Sequence, residues 1–393
     1  MSRVFCRWNT NMTYRILIFV VLPLVIGIPS ALIVLGTVFP RIWMWMIALS
    51  IGGTELAPIF FGLGLIVVCL ALWPTPTHPR WRWVAIGLGT ISVVVAGRTM
   101  LQIPGAVSDA NRQMDTVMRI ISPGSVPDTE SERFPIVWSA LVTGLSVPSI
   151  AIDRQVEVSD RSGVMLYADV YHPPGPGPHP IVLVLHGGGW SGGDRAEGST
   201  ASKALAAAGF VVVATDYRLA PAHHYPEQLS DVQDSLTWIR RLAPQWKADP
   251  TRIALLGRSA GSQLAILTAA EPASGITSVV AFYSPVDFVV GWKEPGWPDP
   301  VHARDVFTDY FGGTYDELPE RYREASPIAH TNRPLPPTLL ISGGRDQLVE
   351  LSFSRQLAER LTAGGTPTAK LRESMQQVMQ NNCAVFRSGE VLR

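Results

Sequence analysis

The sequence predicts an α/β fold, a doubly wound and mostly parallel sheet, preceded by an N-terminal transmembrane helical region. Three observations predict it. Long apolar stretches fill the chain before residue 104, apolar runs of strand length alternate with helix-length segments from residue 150 onward, and glycine clusters follow several of those runs.

Residues 16–39, 42–73 and 83–103 are apolar with few charges. At about 1.5 Å rise per residue each is long enough to cross a bilayer core of about 30 Å. These three helices define a transmembrane region over 1–104. The first stretch is longer than the apolar part of a signal peptide and two more follow it, which favours membrane spans. Gly52-Gly53-Thr54-Glu55 interrupts the second stretch and leaves a four-span count open. Arg3, Arg7 and Arg15 before the first span, and Arg80 and Arg82 before the third, favour the inside for both. Three spans place the remainder of the chain outside the plasma membrane; four place it in the cytoplasm. Glu55 is read as interfacial.

A joining segment, 105–149, follows. Val107, Ala110, Met114, Val117, Met118 and Ile121 recur at helical spacing, as in an amphipathic helix. Residues 123–133 are polar and turn-rich, a linker, and 134–145 are apolar again.

The domain over 150–393 is read as strands at 154–158, 164–171, 181–186, 210–215, 252–256, 276–283, 337–342 and 368–373, with helices near 195–208, 226–243, 259–270 and 350–364. The irregular, aromatic-rich stretch 285–337 is a lid-like insertion. Trp292, Trp297, Phe307, Tyr310 and Phe311 there either cover an acyl site or pack against the sheet. Asp216 and Arg218 are read as a structural ion pair.

Two motifs carry chemistry. In Gly257-Arg258-Ser259-Ala260-Gly261, after the run Ile253–Leu256, small residues flank a serine on a tight strand-to-helix turn, a nucleophile elbow. In His186-Gly187-Gly188-Gly189-Trp190, after Ile181–Leu185, consecutive residues without Cβ let backbone N–H groups converge on a ligand oxygen. Gly188, Gly189 and Ala260 are the expected oxyanion donors, worth roughly 3–4 kcal/mol each in such sites. Asp346 follows the run Thr338–Ile341, so that an acid comes after the serine in chain order.

With Ser191-Gly192-Gly193-Asp194, Asp216–Pro221 and Gly343–Val349, these motifs make residues 150–373 resemble the hormone-sensitive-lipase and feruloyl-esterase-like (BD-FAE-like) branch of the α/β-hydrolase superfamily. The resemblance implies carboxylic-ester hydrolysis through an acyl-enzyme without a cofactor, with Ser259 as nucleophile and Asp346 as the acid that orients a histidine. It also implies that histidine in a loop after the last strand, as His-Gly-Phe or His-Ala-Phe. Here residue 373 is followed by Ser374-Met375-Gln376-Gln377, and the last histidine of the sequence is His330. An atypical C-terminus after 373, from a frameshift or truncation, is the expected cause. Of the eight histidines, His224, His302 and His330 are the candidates to replace the missing base.

Lys+Arg and Asp+Glu are both 32, which gives no basic or acidic surface for nucleic acid. Three scattered cysteines form no disulfide framework, and neither a P-loop nor a zinc-type spacing is present. The expected partners are a small-molecule or lipid ester and membrane lipids. A catalytically inactive hydrolase fold with a binding or scaffold role is the alternative, and an amidase or peptidase on the same fold is a third.

Overall fold

The computed structural model describes residues 18, 21–38, 56–73, 79–121, 147–161, 163–296, 299, 301–343, 346 and 348–373. Glu55, the break at 52–54, Trp297 and the segment after 373 lie outside the described residues. The chain forms two compact units, residues 1–106 with 136–144, and residues 107–135 with 145–393.

The first unit contains α1 (Leu22–Val38), α2 (Ala57–Leu72) and the first part of α3 (Pro79–Ile121). α1 packs on α2. α2 and α3 cross at Gly64 and Gly89, where a Cβ added to either would lie 2.8 Å from the carbonyl oxygen of the other. Only glycine permits that approach. Val34 of α1, Ala57 and Phe60 of α2 and Ala96 of α3 form a buried cluster, while Val25, Leu32, Ile66, Val94 and Leu101 face outward. Among the described residues, one helical segment, Arg80–Gly105, is long and apolar enough to cross a bilayer; Leu22–Leu35 and Ala57–Leu72 are shorter apolar helices. The helix predicted over 107–121 is the continuation of α3.

The second unit is built on eight strands, β1 (Ala151–Arg161), β2 (Val164–His172), β3 (His179–Leu185), β4 (Val211–Thr215), β5 (Ala248–Arg258), β6 (Ile276–Phe282), β7 (Thr338–Gly343) and β8 (Thr368–Glu373). Their order is β1-β2-β4-β3-β5-β6-β7-β8. The first two pairings, β1 with β2 and β2 with β4, are antiparallel and the other five parallel. The parallel strands are continuous Val/Ile/Leu runs because both of their faces are covered. Ile181, Leu183, Val213, Ile253 and Leu255 point to one face, and their neighbours Val182, Val184, Val212, Ala254 and Leu256 to the other. α5 (Glu227–Leu242) and α6 (Ala260–Ala270) cover the first face. α4 (Ser199–Ala207) covers the second through Leu205. α10 (Leu351–Ala363) packs beside β7 and β8.

Two expectations are corrected. Asp216 and Arg218 do not pair with each other. Asp216 binds Arg195 at 2.7 Å, whereas the buried Arg218 is held by Asp231 at 2.8 Å and by Glu227. The Arg195 side chain also donates to the buried Asp169 of β2 at 3.0 Å, so that loop 194–198 is tied to the sheet. That loop consumes the start of the helix expected from 195, which begins at Ser199.

The stretch 285–337 contains α7 (Phe288–Lys293), α8 (Ala303–Phe311), α9 (Pro319–Glu324) and a 3₁₀ turn at Pro327–His330. Phe288, Tyr310, Phe311 and Tyr322 are fully buried against one another, with ring centroids 4.0 Å apart for Phe311 and Tyr322. The stretch is a packed cap whose aromatic residues are continuous with the core on that face of the sheet.

Candidate active site

β5 ends at Arg258 and α6 begins at Ala260, so that Ser259 alone makes the turn, at φ 49° and ψ −116°. A non-glycine residue at positive φ is strained and persists only where its surroundings over-determine it. Here they do. The Ser259 N–H donates to the Phe282 carbonyl of β6 at 3.0 Å, and the Ser259 carbonyl accepts from the Ser262 hydroxyl at 2.6 Å. A Cβ on Gly257 would stand 2.3 Å from the Gly261 oxygen, and one on Gly261 would stand 2.3 Å from the Leu185 oxygen. Gly257 is therefore required by the tightness of the turn itself, and Gly261 by the closeness of the turn to β3. The Ser259 side chain is half-buried, and its hydroxyl has no hydrogen-bond partner among the described residues.

The glycine loop after β3 lies against this turn, since a Cβ on Gly187 would be 3.5 Å from Ser259 Cβ. Gly188 and Gly189 have φ of 107° and 60°. The Gly188 carbonyl accepts from the N–H groups of Ser191 and Gly192 at 3.2 and 3.0 Å, which closes the loop. Its base is fixed by His186, stacked on Tyr217 at 4.1 Å with the rings 7° apart, and by the Tyr217 hydroxyl donating to the His186 carbonyl at 3.0 Å. Burial pushes the His186 imidazole below its ordinary pKa and the Tyr217 phenol well above its own. The N–H groups of Gly188, Gly189 and Ala260 donate to no acceptor among the described residues. The Gly187 N–H is taken by Glu197 Oε2 at 3.2 Å.

Asp346 follows β7. Its Oδ1 accepts from the N–H groups of Leu348 and Val349 at 2.9 and 3.0 Å, while Oδ2 has no partner among the described residues. Burial raises its pKa, and those two hydrogen bonds oppose the rise. Tyr283, at φ 39° just past β6, is a residue the motifs did not reveal. Its N–H donates to the Ile341 carbonyl of β7 at 2.7 Å, it directly follows the Phe282 whose carbonyl accepts the Ser259 N–H, and burial pushes its phenol up to about 12.

The described histidines do not complete a triad. His186 bonds the Gly187 carbonyl, His172 bonds Asp153, His179 bonds the Gly209 carbonyl and His223 bonds Glu227. Of the three expected substitutes, His224 bonds the Asp309 carbonyl at 2.9 Å and His330 the Glu324 carbonyl at 2.8 Å, and neither bonds Ser259. His302 is exposed, and its ring has no partner among the described residues. It heads α8, whose Val306 would touch a Cβ on Gly189 at 3.5 Å.

Residues 168–361 match the BD-FAE family. The chain is 37% identical to esterase LipC of Mycobacterium tuberculosis over 199 residues, 47% of this chain and 49% of LipC. It thus spans about half of LipC. It is 24% identical to the probable carboxylic ester hydrolase LipM of the same organism over 353 residues, 82% of this chain and 78% of LipM. Among solved structures, the hyperthermophilic esterase of the archaeon Pyrobaculum calidifontis superposes with a TM-score of 0.53 at 25% identity, over 63% of this chain and 88% of that one. The mostly parallel sheet of the BD-FAE-matching unit is that of esterase α/β-hydrolase folds.

Proposed function

We propose that the chain is a membrane-anchored serine hydrolase of carboxylesterase or lipase type. The observation that carries the reading is the strained Ser259, held at positive φ beside the unaccepted N–H groups of Gly188, Gly189 and Ala260. In the proposed reaction the Ser259 oxygen attacks the acyl carbon, and those three N–H groups receive the negative charge that develops on the carbonyl oxygen. Collapse of the adduct breaks the acyl C–O bond and releases the alcohol, and water then cleaves the acyl-enzyme. The Ser259 proton passes to a base that returns it to the leaving alcohol oxygen; Asp346 Oδ2 is the acceptor open to orient that base, and His302, whose ring is unengaged among the described residues, is the first candidate for it. The names of LipC and LipM, an esterase and a probable carboxylic ester hydrolase, support the reaction class. A fluorophosphonate probe is expected to form an adduct on the peptide bearing Ser259, and none with Ser259→Ala. An unmodified wild-type chain at saturating probe contradicts the proposal.

A second reading, an inactive hydrolase fold that binds without turnover, is favoured by one observation. No described histidine reaches Ser259 or Asp346. His302 is the first residue to substitute in deciding between the two readings, because its ring is unengaged and it heads the helix that covers the glycine loop.

The membrane anchor rests on the outward apolar residues of α1–α3 and on the long apolar segment Arg80–Gly105. With three spans the hydrolase unit lies outside the plasma membrane, where lipid or small-molecule esters are its substrates. In cells, the full chain is expected to stay in the membrane fraction after alkaline carbonate washing and to leave it in detergent. Release by carbonate alone contradicts the anchor.

A further inference from the structure

Gln263 lies one turn beyond Ser259, and its N–H donates to the Ser259 carbonyl at 3.3 Å. Its side chain is completely buried. Oε1 accepts from the Trp190 indole N–H at 3.1 Å and from the Tyr310 hydroxyl at 3.3 Å, and Nε2 donates to the Ala325 carbonyl at 2.9 Å. The orientation of the amide is fixed by chemistry. An indole N–H can only donate and a backbone carbonyl can only accept, so that just one of the two amide orientations satisfies both.

These three partners come from different parts of the unit. Trp190 directly follows Gly189 and has φ 59°; its ring stacks on Tyr310 at 4.1 Å with the planes 12° apart. Its carbonyl accepts the Ala220 N–H at 2.8 Å. Tyr310 belongs to α8 and Ala325 follows α9, so both lie in the cap. Phe288 of α7 packs on the same Trp190 ring at 5.4 Å. One amide therefore joins the nucleophile helix, the glycine loop and the cap, in a buried setting where each lost partner leaves a polar group unpaired.

We propose that Gln263 is a positioning residue that locks the glycine loop and the cap 285–337 onto the nucleophile helix, making the cap a fixed wall of the site and not an opening lid. The kinetic consequence rests on the serine-hydrolase reading; the consequence for backbone protection does not.

The test is hydrogen exchange of the full chain in detergent, with Gln263→Leu and the milder Trp190→Phe, which removes the indole donor and part of the ring but keeps the Gln263 amide. Ser191, Gly192 and Ala220 carry amides hydrogen-bonded within or to the loop, and Gly312 one within the cap. Their exchange is expected to rise about tenfold or more in Gln263→Leu and less in Trp190→Phe, while β5 and β6 keep wild-type protection. In parallel, kcat on p-nitrophenyl butyrate is expected to fall about 10- to 100-fold with KM unchanged, because the donors next to Trp190 lose their alignment. Unchanged exchange at those amides, or protection lost equally throughout the sheet, overturns the proposal. If the wild type lacks turnover dependent on Ser259, the hydrolase reading fails and the exchange result alone decides the role of Gln263.

Discussion

Gly261→Ala is expected to destabilise the hydrolase unit by about 3 kcal/mol, the upper part of the range for overpacking a filled core. The added methyl would meet the carbonyl oxygens of Leu185 and His186 at 2.3 and 2.4 Å. Neither can retreat. Leu185 is held in β3 by ladders to both β4 and β5, and the His186 carbonyl already accepts the Tyr217 hydroxyl. A loss of that size lowers the Tm of a domain of this length by about 6–12 °C, which thermal unfolding followed by circular dichroism measures. The same clash displaces α6 from β3 and with it Ser259, so that any activity falls further than the population of folded protein. An unchanged Tm would mean that the turn is looser than its glycines indicate.

Asp346→Asn separates chemistry from stability. Without the carboxylate a neighbouring base is neither oriented nor stabilised when charged, and turnover is expected to fall about ten-thousandfold. Stability is expected to hold or rise at pH 7. Burial raises the pKa of Asp346 in the folded chain, so folding favours its protonated form. The contribution of such a group is present below its unfolded pKa and is lost as pH rises through the raised folded value. At neutral pH the ionised group therefore counts against the fold. Asparagine retains an oxygen for the Leu348 and Val349 N–H groups and removes the charge. The Tm difference between variant and wild type should accordingly shrink on acidification through the raised pKa of Asp346. The acid limb of wild-type activity should lie above the ordinary carboxylate range for the same reason. A variant that unfolds several degrees earlier at pH 7 would show that the carboxylate charge is a structural contact.

The parallel strands were legible because each is an uninterrupted apolar run ending in glycine or a polar turn, as at Ile181–Leu185 and Ile253–Leu256. The serine turn was legible for a local reason, since Gly257 and Gly261 are demanded by contacts within a few residues of Ser259 and with the strand beside it. Long-range partners were not. Arg218 pairs with Asp231, which α5 brings to it from 13 positions on, and nothing in the residues around Arg218 distinguishes Asp231 from Asp216. Gln263 escaped for another reason. Every residue of α6 is buried, so the helix has no polar face against which a buried amide stands out. Tyr283 and Glu197 join the site through the folding of loops onto the sheet, and no spacing in the sequence encodes that.

Hydrolysis of p-nitrophenyl acetate and butyrate by the detergent-purified chain, beside Ser259→Ala, tests the central claim most directly. Turnover above background in the wild type and its loss in Ser259→Ala is the predicted result, and His302→Ala then asks whether that imidazole serves the serine. Equal background rates in the two proteins would contradict the account and leave the fold as a binding module.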